Sequence, residues 1–592
     1  MKLAIDMNTL ICKIKSIISR LLESAKHQRA LIVGSLTNQH SPLRGDLGGL
    51  VSLGGLGLVG LSLLYSFLLS SCLSESPRDQ LDREQAFTSA ATLYDNTVAT
   101  LYNYMGGTQA SQGLQGTYRG VYDYNSLTTD ECIIPIRGGD WYDGGFWQDL
   151  YLHTWTASDP SLEDTWNYLY RVINLSNQAI EDLNNHKDLL TDAQLSAYTA
   201  EARAVRAMFY AYTMDMWGSI PVVTSSAQTL ANTTQSKRSE VYKFIWDELQ
   251  AVEPLLPNER SNLQGDYYGR MTRPVVDFLL AKLALNYEVY ADDDWTDGTR
   301  PSGSAATFTV DGKTMNAWQT CAYYCNKLTA DGYTLMADRT ANFSVHNETS
   351  TENIFVIPMD KSLYTQQFQY LFRSRHYAHG GALGTASENG TCATLATVHE
   401  YGYGTDSVDA RWAQDFYSDT VYVDGKTITL DGGDKLVYYP LEVTSTNLTY
   451  SKYIRTAGAR MKKYEVDRTA YNDGKNCDND IVLFRYADAV LMRAEAHVRN
   501  GESGQADLDA IRRRVGMPSR PATLTNILRE RRMELMWEGW RRNDLIRYGL
   551  FNKAYDIRPQ LDGEASGYTT VFPIPQKVRD LNGKINQNKG YK

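Results

Sequence analysis

From residue 160 onward, apolar residues recur along the chain at helical spacing. Leu162, Trp166, Leu169, Tyr170, Ile173, Ile180 and Leu183 follow one another at intervals that keep them on one helix face. A second stripe, Leu195, Tyr198, Ala202, Val205, Phe209, Tyr212 and Met216, stops at Trp217-Gly218-Ser219-Ile220-Pro221, where Gly and Pro end a helix. The same periodicity predicts helices over 241–256, 273–290, 317–328, 481–500, 505–515 and 524–539, with Thr272 and Pro274 at the cap and first turn of the 273–290 segment. Amphipathic helices in pairs with short connections predict a mainly α fold, a scaffold of helical hairpins stacked in the manner of tetratricopeptide repeats, although no clean 34-residue repeat is present. Residues 341–480 break the pattern. They are rich in Gly, Thr and Tyr, contain β-prone runs such as 421–429, and are expected to form an irregular, partly β elaboration that carries binding residues on a rigid frame.

The first seventy residues follow a different logic. Residues 47–71, LGGLVSLGGLGLVGLSLLYSFLLSS, carry no charge and follow a flank containing Lys2, Lys13, Lys15, Arg20, Lys26, Arg29 and Arg44. Basic, then apolar, then small residues is the order of a secretory signal peptide. The apolar run is also long enough to span a bilayer, so a retained anchor is the alternative. The run ends at Leu69-Ser70-Ser71-Cys72, which resembles a bacterial lipobox with Cys72 as the lipidated mature N-terminus. The expected organisation is a signal peptide over 1–71, a tether over 72–83 and a single domain over 84–592. Within that domain the helical scaffold covers 84–340 and 481–592, and the irregular ligand-binding region covers 341–480.

Composition narrows the function classes. The net charge of −10 gives no global field for nucleic acid or anionic lipid. The mean hydropathy of −0.41 is too low for a polytopic membrane protein. Forty tyrosines and eleven tryptophans supply flat apolar faces with polar edges, which suit a binding surface. Of seven cysteines, cleavage before Cys72 removes one and lipid takes another; the remaining five are scattered and odd in number, which describes buried thiols and not a disulfide framework.

Two segments carry candidate binding chemistry. Gly138-Gly139-Asp140-Trp141-Tyr142-Asp143-Gly144-Gly145-Phe146-Trp147 sets four aromatics beside two carboxylates, and its glycines disfavour a helix. Ring faces for the C–H face of a pyranose and acceptors for its hydroxyls are what sugar recognition needs, so Trp141, Tyr142 and Trp147 are candidate platforms. The competing reading folds the tryptophans back as plugs in the scaffold. The second segment holds Tyr364, Phe368, Tyr370, Phe372 and Tyr377 among Gln, Arg and His residues, where Tyr364, Phe368 and Tyr370 are the candidates; alternation along a half-buried strand explains Phe368, Tyr370 and Phe372 equally well. Asp292-Asp293-Asp294-Trp295-Thr296-Asp297-Gly298 has the look of a cation loop but departs from the EF-hand spacing, so no cofactor is expected and a structural calcium ion is the one metal left open. No Walker loop, G-x-S-x-G elbow or His-Glu-x-x-His is present, and the Arg–Glu-rich run Glu530, Arg531, Glu534 to Arg541, Arg542, Asp544, Arg547 reads as structural ion pairing along and between helices.

Several stretches, in order, resemble the SusD/RagB family of outer-membrane nutrient-binding lipoproteins. They are WNYLYRVIN at 166–174, EARAVRA at 201–207 with Tyr210 and WGSIP at 217–221, and GRMTR at 269–273 opening the helix that contains ALNYEVY. The C-terminal third adds FRYAD at 484–488, AEA at 494–496, IRRR at 511–514, ERRMEL at 530–535, WRRNDLIR at 540–547, PIP at 573–575 and NQNKGY at 586–591. The resemblance implies a tetratricopeptide-like fold and a lipid-anchored, outward-facing position on the outer membrane of a Bacteroidetes-type bacterium. It also implies capture of glycans without catalysis and delivery to a SusC-like TonB-dependent barrel. Glu75 and Asp79 after Cys72 are compatible with an acidic surface-export signal. Aromatics of the irregular region are where family members tend to contact glycans, which adds to the case for Tyr364, Phe368 and Tyr370. Peptide binding of the RagB type is one alternative ligand class. An all-helical glycoside hydrolase built on two carboxylates is another, and a scaffold that binds only another protein is a third.

Overall fold

A computed structural model describes residues 86–592, which lie in a unit spanning Asp82–Lys592. Cys72, the apolar run before it and the whole tether over 72–83 fall outside the described residues. Three of the long helices start where a polar side chain satisfies a first free N–H group. Asp159 accepts from Ser161 N ahead of Pro160–Asn185, and reciprocal capping boxes, Thr191 with Gln194 and Asn316 with Gln319, open Asp192–Trp217 and Ala317–Ala330. Gly218 ends the second of these at φ 70°, and a Cβ there would stand 2.7 Å from the Trp295 ring, so both conformation and space require glycine. Pro160–Asn185 packs along Asp192–Trp217, which packs on Arg238–Val252; Arg273–Leu285 lies against Ala317–Ala330, and that helix against Tyr486–Arg499. The scaffold is thus a stack of helical hairpins, as the periodicity predicts. Among the described residues no helix is long and apolar enough to cross a membrane.

Four predicted segments change at their ends. The 481–500 run begins as a strand, Ile481–Arg485, and turns helical only at Tyr486. The strand pairs antiparallel with Asn353–Ile357, Ile481 opposite Ile357 and Val482 opposite Val356, and every residue of both is buried. Five apolar-rich residues buried on both faces have no amphipathic period, so periodicity cannot tell them from helix. The 273–290 helix breaks at Asn286, and 241–256 becomes Arg238–Val252 followed by a tight turn at Glu253–Leu255. The helix predicted over 524–539 stops at Glu534, three residues before Trp537 adopts a left-handed φ of 67°. Thr272 does precede Arg273–Leu285, but its hydroxyl makes no capping bond. Apart from Asn353–Ile357, residues 341–480 contain two-residue strands and helices of at most seven residues, including a hairpin of Tyr422–Val423 with Lys426–Thr427.

The Arg–Glu-rich segment is buried and binds elements together. Glu534 receives Arg339 at 3.3 Å, Arg411 at 3.2 Å, Arg485 at 2.8 Å and Arg514 at 2.5 Å. Arg547 grips Glu495 through two bonds of 2.7 and 2.8 Å, Arg541 grips Asp130 at 2.7 and 3.0 Å, and Arg531 reaches Asp488 and Asp544. The pairing predicted within the helix at three and four residues is therefore made mainly between helices. Burial alone would raise the carboxyl of Glu534, but Arg514, Arg339, Arg485 and Arg411 outweigh it and hold the group well below the usual range. The five described cysteines, Cys132, Cys321, Cys325, Cys392 and Cys477, are buried and free. Burial raises the thiols of Cys132, Cys321 and Cys477, which leaves them inert.

Candidate functional site

The glycine-rich segment turns out of the strand Cys132–Ile133 and into the helix Phe146–Leu152. The glycines exclude a helix as far as Gly145, but Phe146 and Trp147 already belong to the helical turn. Gly138, Gly144 and Gly145 take positive φ, and so do Trp141 at 67° and Asp143 at 42°. A side chain held in the left-handed region costs on the order of 1 kcal/mol and persists only where its surroundings over-determine it. They do so here. The indole N–H of Trp141 donates to the Glu388 carbonyl at 2.8 Å, Gln148 holds the Trp141 carbonyl at 3.1 Å, and one edge of the indole lies so close to Gly390 that a Cβ there would be 2.6 Å away. Asp143 accepts from Arg119 at 2.7 Å and from the Trp147 indole at 2.8 Å, while the Arg119 guanidinium covers the rings of Phe146 and Trp147.

The two candidate segments meet at this loop. Tyr377 donates to Asp140 at 2.9 Å, Arg373 lies 5.3 Å from the Trp147 ring while paired bidentately to Asp123, and Glu388 accepts from Tyr118. The outcome is a rim with graded exposure: Tyr142 is 59% and Tyr377 43% exposed, Trp141 is half-buried, and Asp140 and Glu388 stand beside them as acceptors. Burial raises the Glu388 carboxyl despite the Tyr118 hydrogen bond, and burial with the bond to Asp140 pushes the Tyr377 phenol up to about 12, so the phenol keeps its proton and donates at neutral pH. A cleft of about 310 Å³ opens on the other side of the Arg119–Asp143 pair, between Phe146, Asp149, Trp155 and Asp159.

Three of the sequence candidates are corrected. Trp147 is buried beneath the loop, edge-on to Trp141 at 5.6 Å, and offers no face to a ligand. Tyr370 is stacked flat on Tyr122 at 4.1 Å with its hydroxyl on Gln115 at 3.1 Å, and Phe368 is wedged between Tyr370 and Tyr464. The strand alternative also fails, because Tyr370 and Phe372 lie in the helical turn Tyr370–Arg373, whose four residues are all buried, and Phe368 precedes it outside any strand. Tyr364 is 41% exposed but belongs beside Tyr268, away from the loop contacts just described. Tyr118, Arg119, Glu388 and Gly390 were not singled out in the sequence. They come from distant stretches of the chain and meet only in the tertiary fold. In the acidic segment 292–298 the carboxylates serve their own turn: Asp292 accepts from Asp294 N at 2.9 Å, Asp297 from Thr299 N at 2.8 Å, and Asp293 caps Ser239. Among the described residues no group of three His, Cys, Asp or Glu side chains is placed to hold a metal ion.

Comparison with known proteins bears on the whole unit. The family model described as the SusD family matches residues 310–591, and one described as starch-binding associating with outer membrane matches 112–285. The starch-binding protein SusD of Bacteroides thetaiotaomicron is 26% identical over 522 residues, 81% of this chain and 87% of the relative. SusD-like protein P2 of Formosa agariphila is 23% identical over 89% of this chain and 98% of its own length. A SusD homologue of Bacteroides thetaiotaomicron superposes with a TM-score of 0.65 at 19% identity, over 86% of this chain and 99% of that one. A laminarin-binding SusD-like protein superposes at 0.62 and 20% identity, over 84% and 99%. With its helical-hairpin scaffold and both family segments in register along one unit, the chain belongs to the SusD-like family.

Proposed function

We propose that this chain is a lipid-anchored, outward-facing protein of the outer membrane that captures oligo- or polysaccharide on the Trp141–Tyr142–Tyr377 rim and passes it to a SusC-like TonB-dependent barrel. One observation carries the glycan reading: a strained, over-determined loop holds aromatic faces at the surface beside Asp140 and Glu388. Rings take the apolar face of a sugar and the carboxylates accept from its hydroxyls, which is recognition without a reaction. Asp143, the other loop carboxylate, takes both Arg119 and Trp147 on its Oδ2, which favours a structural role for it. Membership of a family whose named relatives bind starch and laminarin supports the same ligand class.

Titration calorimetry of the chain from Ser74 against starch, laminarin and a panel of peptides tests this reading. Saturable polysaccharide binding that weakens in Tyr142→Ala at unchanged melting temperature is the expected result. Binding of peptides alone, or release of reducing ends during incubation, overturns it. For the anchor, Cys72→Ala is expected to abolish palmitate incorporation.

A further inference from the structure

The rim continues onto the segment 436–457, and that continuation sits on positive charge. Ile136 pairs with Asn447, Arg137 donates to the carbonyls of Ile454 and Ala457 at 2.9 Å each, and a Cβ on Gly138 would meet Ile454 at 3.3 Å. The segment is thereby fixed against the start of the Trp141 loop. It carries the ring pair Tyr439–Tyr453, 4.4 Å apart, and Tyr450, whose side chain is 99% exposed.

Beneath it three arginines, Arg137, Arg375 and Arg460, are buried without a carboxylate partner. Arg460 donates instead to the carbonyls of Ser374 and Ala457, each at 3.0 Å, and lies over Tyr438; Arg375 bonds Tyr417. By contrast, the buried Arg373, Arg411, Arg485 and Arg547 are each matched by Asp or Glu. The carbonyls take up the terminal N–H groups of Arg137 and Arg460 but carry no net charge, and the Nε of all three arginines has no partner, so the field of the guanidiniums survives at the surface. Lys452 and Arg455, both exposed and unpaired with acid, extend it outward; Lys452 lies 4.7 Å over the Tyr453 ring, and Arg455 acts on both His376 and Tyr377. Burial, then Arg460, Arg455 and Arg137, push the His376 imidazole down to about 4, which reports the same field from inside. Asp140, Glu388, Asp431 and Glu442 are the carboxylates in range, four against five cations. In a chain of net charge −10 this local surplus runs against the average.

We infer that the polysaccharide bound here is anionic: its carboxylate or sulfate groups are met by Arg455 and Lys452, while Tyr439, Tyr450 and Tyr453 extend the aromatic track begun at Trp141 and Tyr142. The inference rests on the glycan reading above and adds the charge class of the ligand. It sets this chain apart from relatives named for starch and laminarin, which are uncharged glucans.

The test compares polygalacturonate, dextran sulfate and laminarin on the same protein. At low salt at least one polyanion is expected to bind about tenfold more tightly than laminarin, with the gap closing at about 0.5 M salt as exposed charges are screened. The tighter of the two polyanions distinguishes uronate from sulfate. Charge reversal, Lys452→Glu with Arg455→Glu, should bring the polyanion-to-laminarin affinity ratio down to about one at unchanged melting temperature, since both residues are exposed. Laminarin binding at least as tight as both polyanions, or a preference that survives the double reversal, overturns the anionic assignment and leaves the glycan reading standing. Failure of every polysaccharide to bind overturns the glycan reading itself.

Discussion

The Arg–Glu network around Glu534 and the loop around Trp141 are built from residue types that both look functional in a sequence, yet the structure uses them in opposite ways. Around Glu534 every strong charge is buried and matched across elements, four arginines on one carboxylate. Around Trp141 charge is spent on holding the backbone, Arg119 on Asp143, while aromatic surface is left facing solvent. A buried charge is useful only while its partner stays in place, so such a cluster locks geometry and has nothing to offer a ligand. A half-buried ring is fixed on one side and free on the other, which is the condition for a stacking platform. The comparison teaches that burial, more than residue chemistry, separates frame from site here.

The sharpest way to break that contrast is at its buried pole. Glu534→Ala removes the carboxylate that four guanidiniums share, leaving them only Asp409, Asp415, Glu352, Glu530 and Glu538, and should cost about 3–5 kcal/mol of stability, read by urea denaturation. Glycan affinity per folded molecule should be unchanged; loss of affinity without loss of stability would place the network in the site.

Acid attacks the same pole. Burial raises the Glu495 carboxyl, but Arg547 and Arg499 more than reverse this and bring it down to about 2. A carboxyl depressed in the folded state contributes stability above its unfolded value, and that contribution is lost as pH falls from about 4.5 to about 2. Glu131, Asp277 and Asp480, lifted by burial to about 7, run the other way: they stabilise the fold as pH drops toward about 4 and add nothing further below it. The melting temperature should therefore fall most steeply between about pH 4.5 and 2. A flat profile across that window would mean that the network adds no linked stability.

At the other pole, Trp141→Ala should weaken polysaccharide binding by about 2 kcal/mol in calorimetry, as an anchoring aromatic does, with a smaller loss of stability because the ring is half-buried. Tyr142→Ala should cost about 1 kcal/mol of affinity and no stability, being the more exposed ring. The smallest effect sharpens the line between the two regions: Tyr370→Phe gives up the hydroxyl's bonds to Gln115 and Tyr464, about 1 kcal/mol of stability, and should leave affinity untouched. Reduced affinity in Tyr370→Phe at full stability would return that buried tyrosine to the site.

Much of the frame could be read directly. The stripes from Leu162 and from Leu195 became Pro160–Asn185 and Asp192–Trp217 nearly end to end, because an amphipathic helix writes its own period into the chain. The strand Ile481–Arg485 escaped, because a segment buried on both faces has no period to read. The site was half visible. Its aromatics and glycines were evident in 138–147, but whether Tyr142 or Trp147 faces solvent depends on the left-handed turn at Trp141 and on Glu388 and Gly390, some 250 residues away.

Taken by itself, the sequence determined the helical-hairpin scaffold, the buried thiols, the ion-pairing role of the Glu530–Arg547 segment and the family resemblance, all of which follow from local spacing and residue type. Tertiary structure alone decided which aromatics are core and which are surface, which distant carboxylates the arginines of the Glu530–Arg547 segment pair with, and that Arg137, Arg375 and Arg460 gather under one rim without acid partners. Exposure and charge balance are sums over neighbours brought together from distant parts of the chain, and no local pattern encodes such a sum.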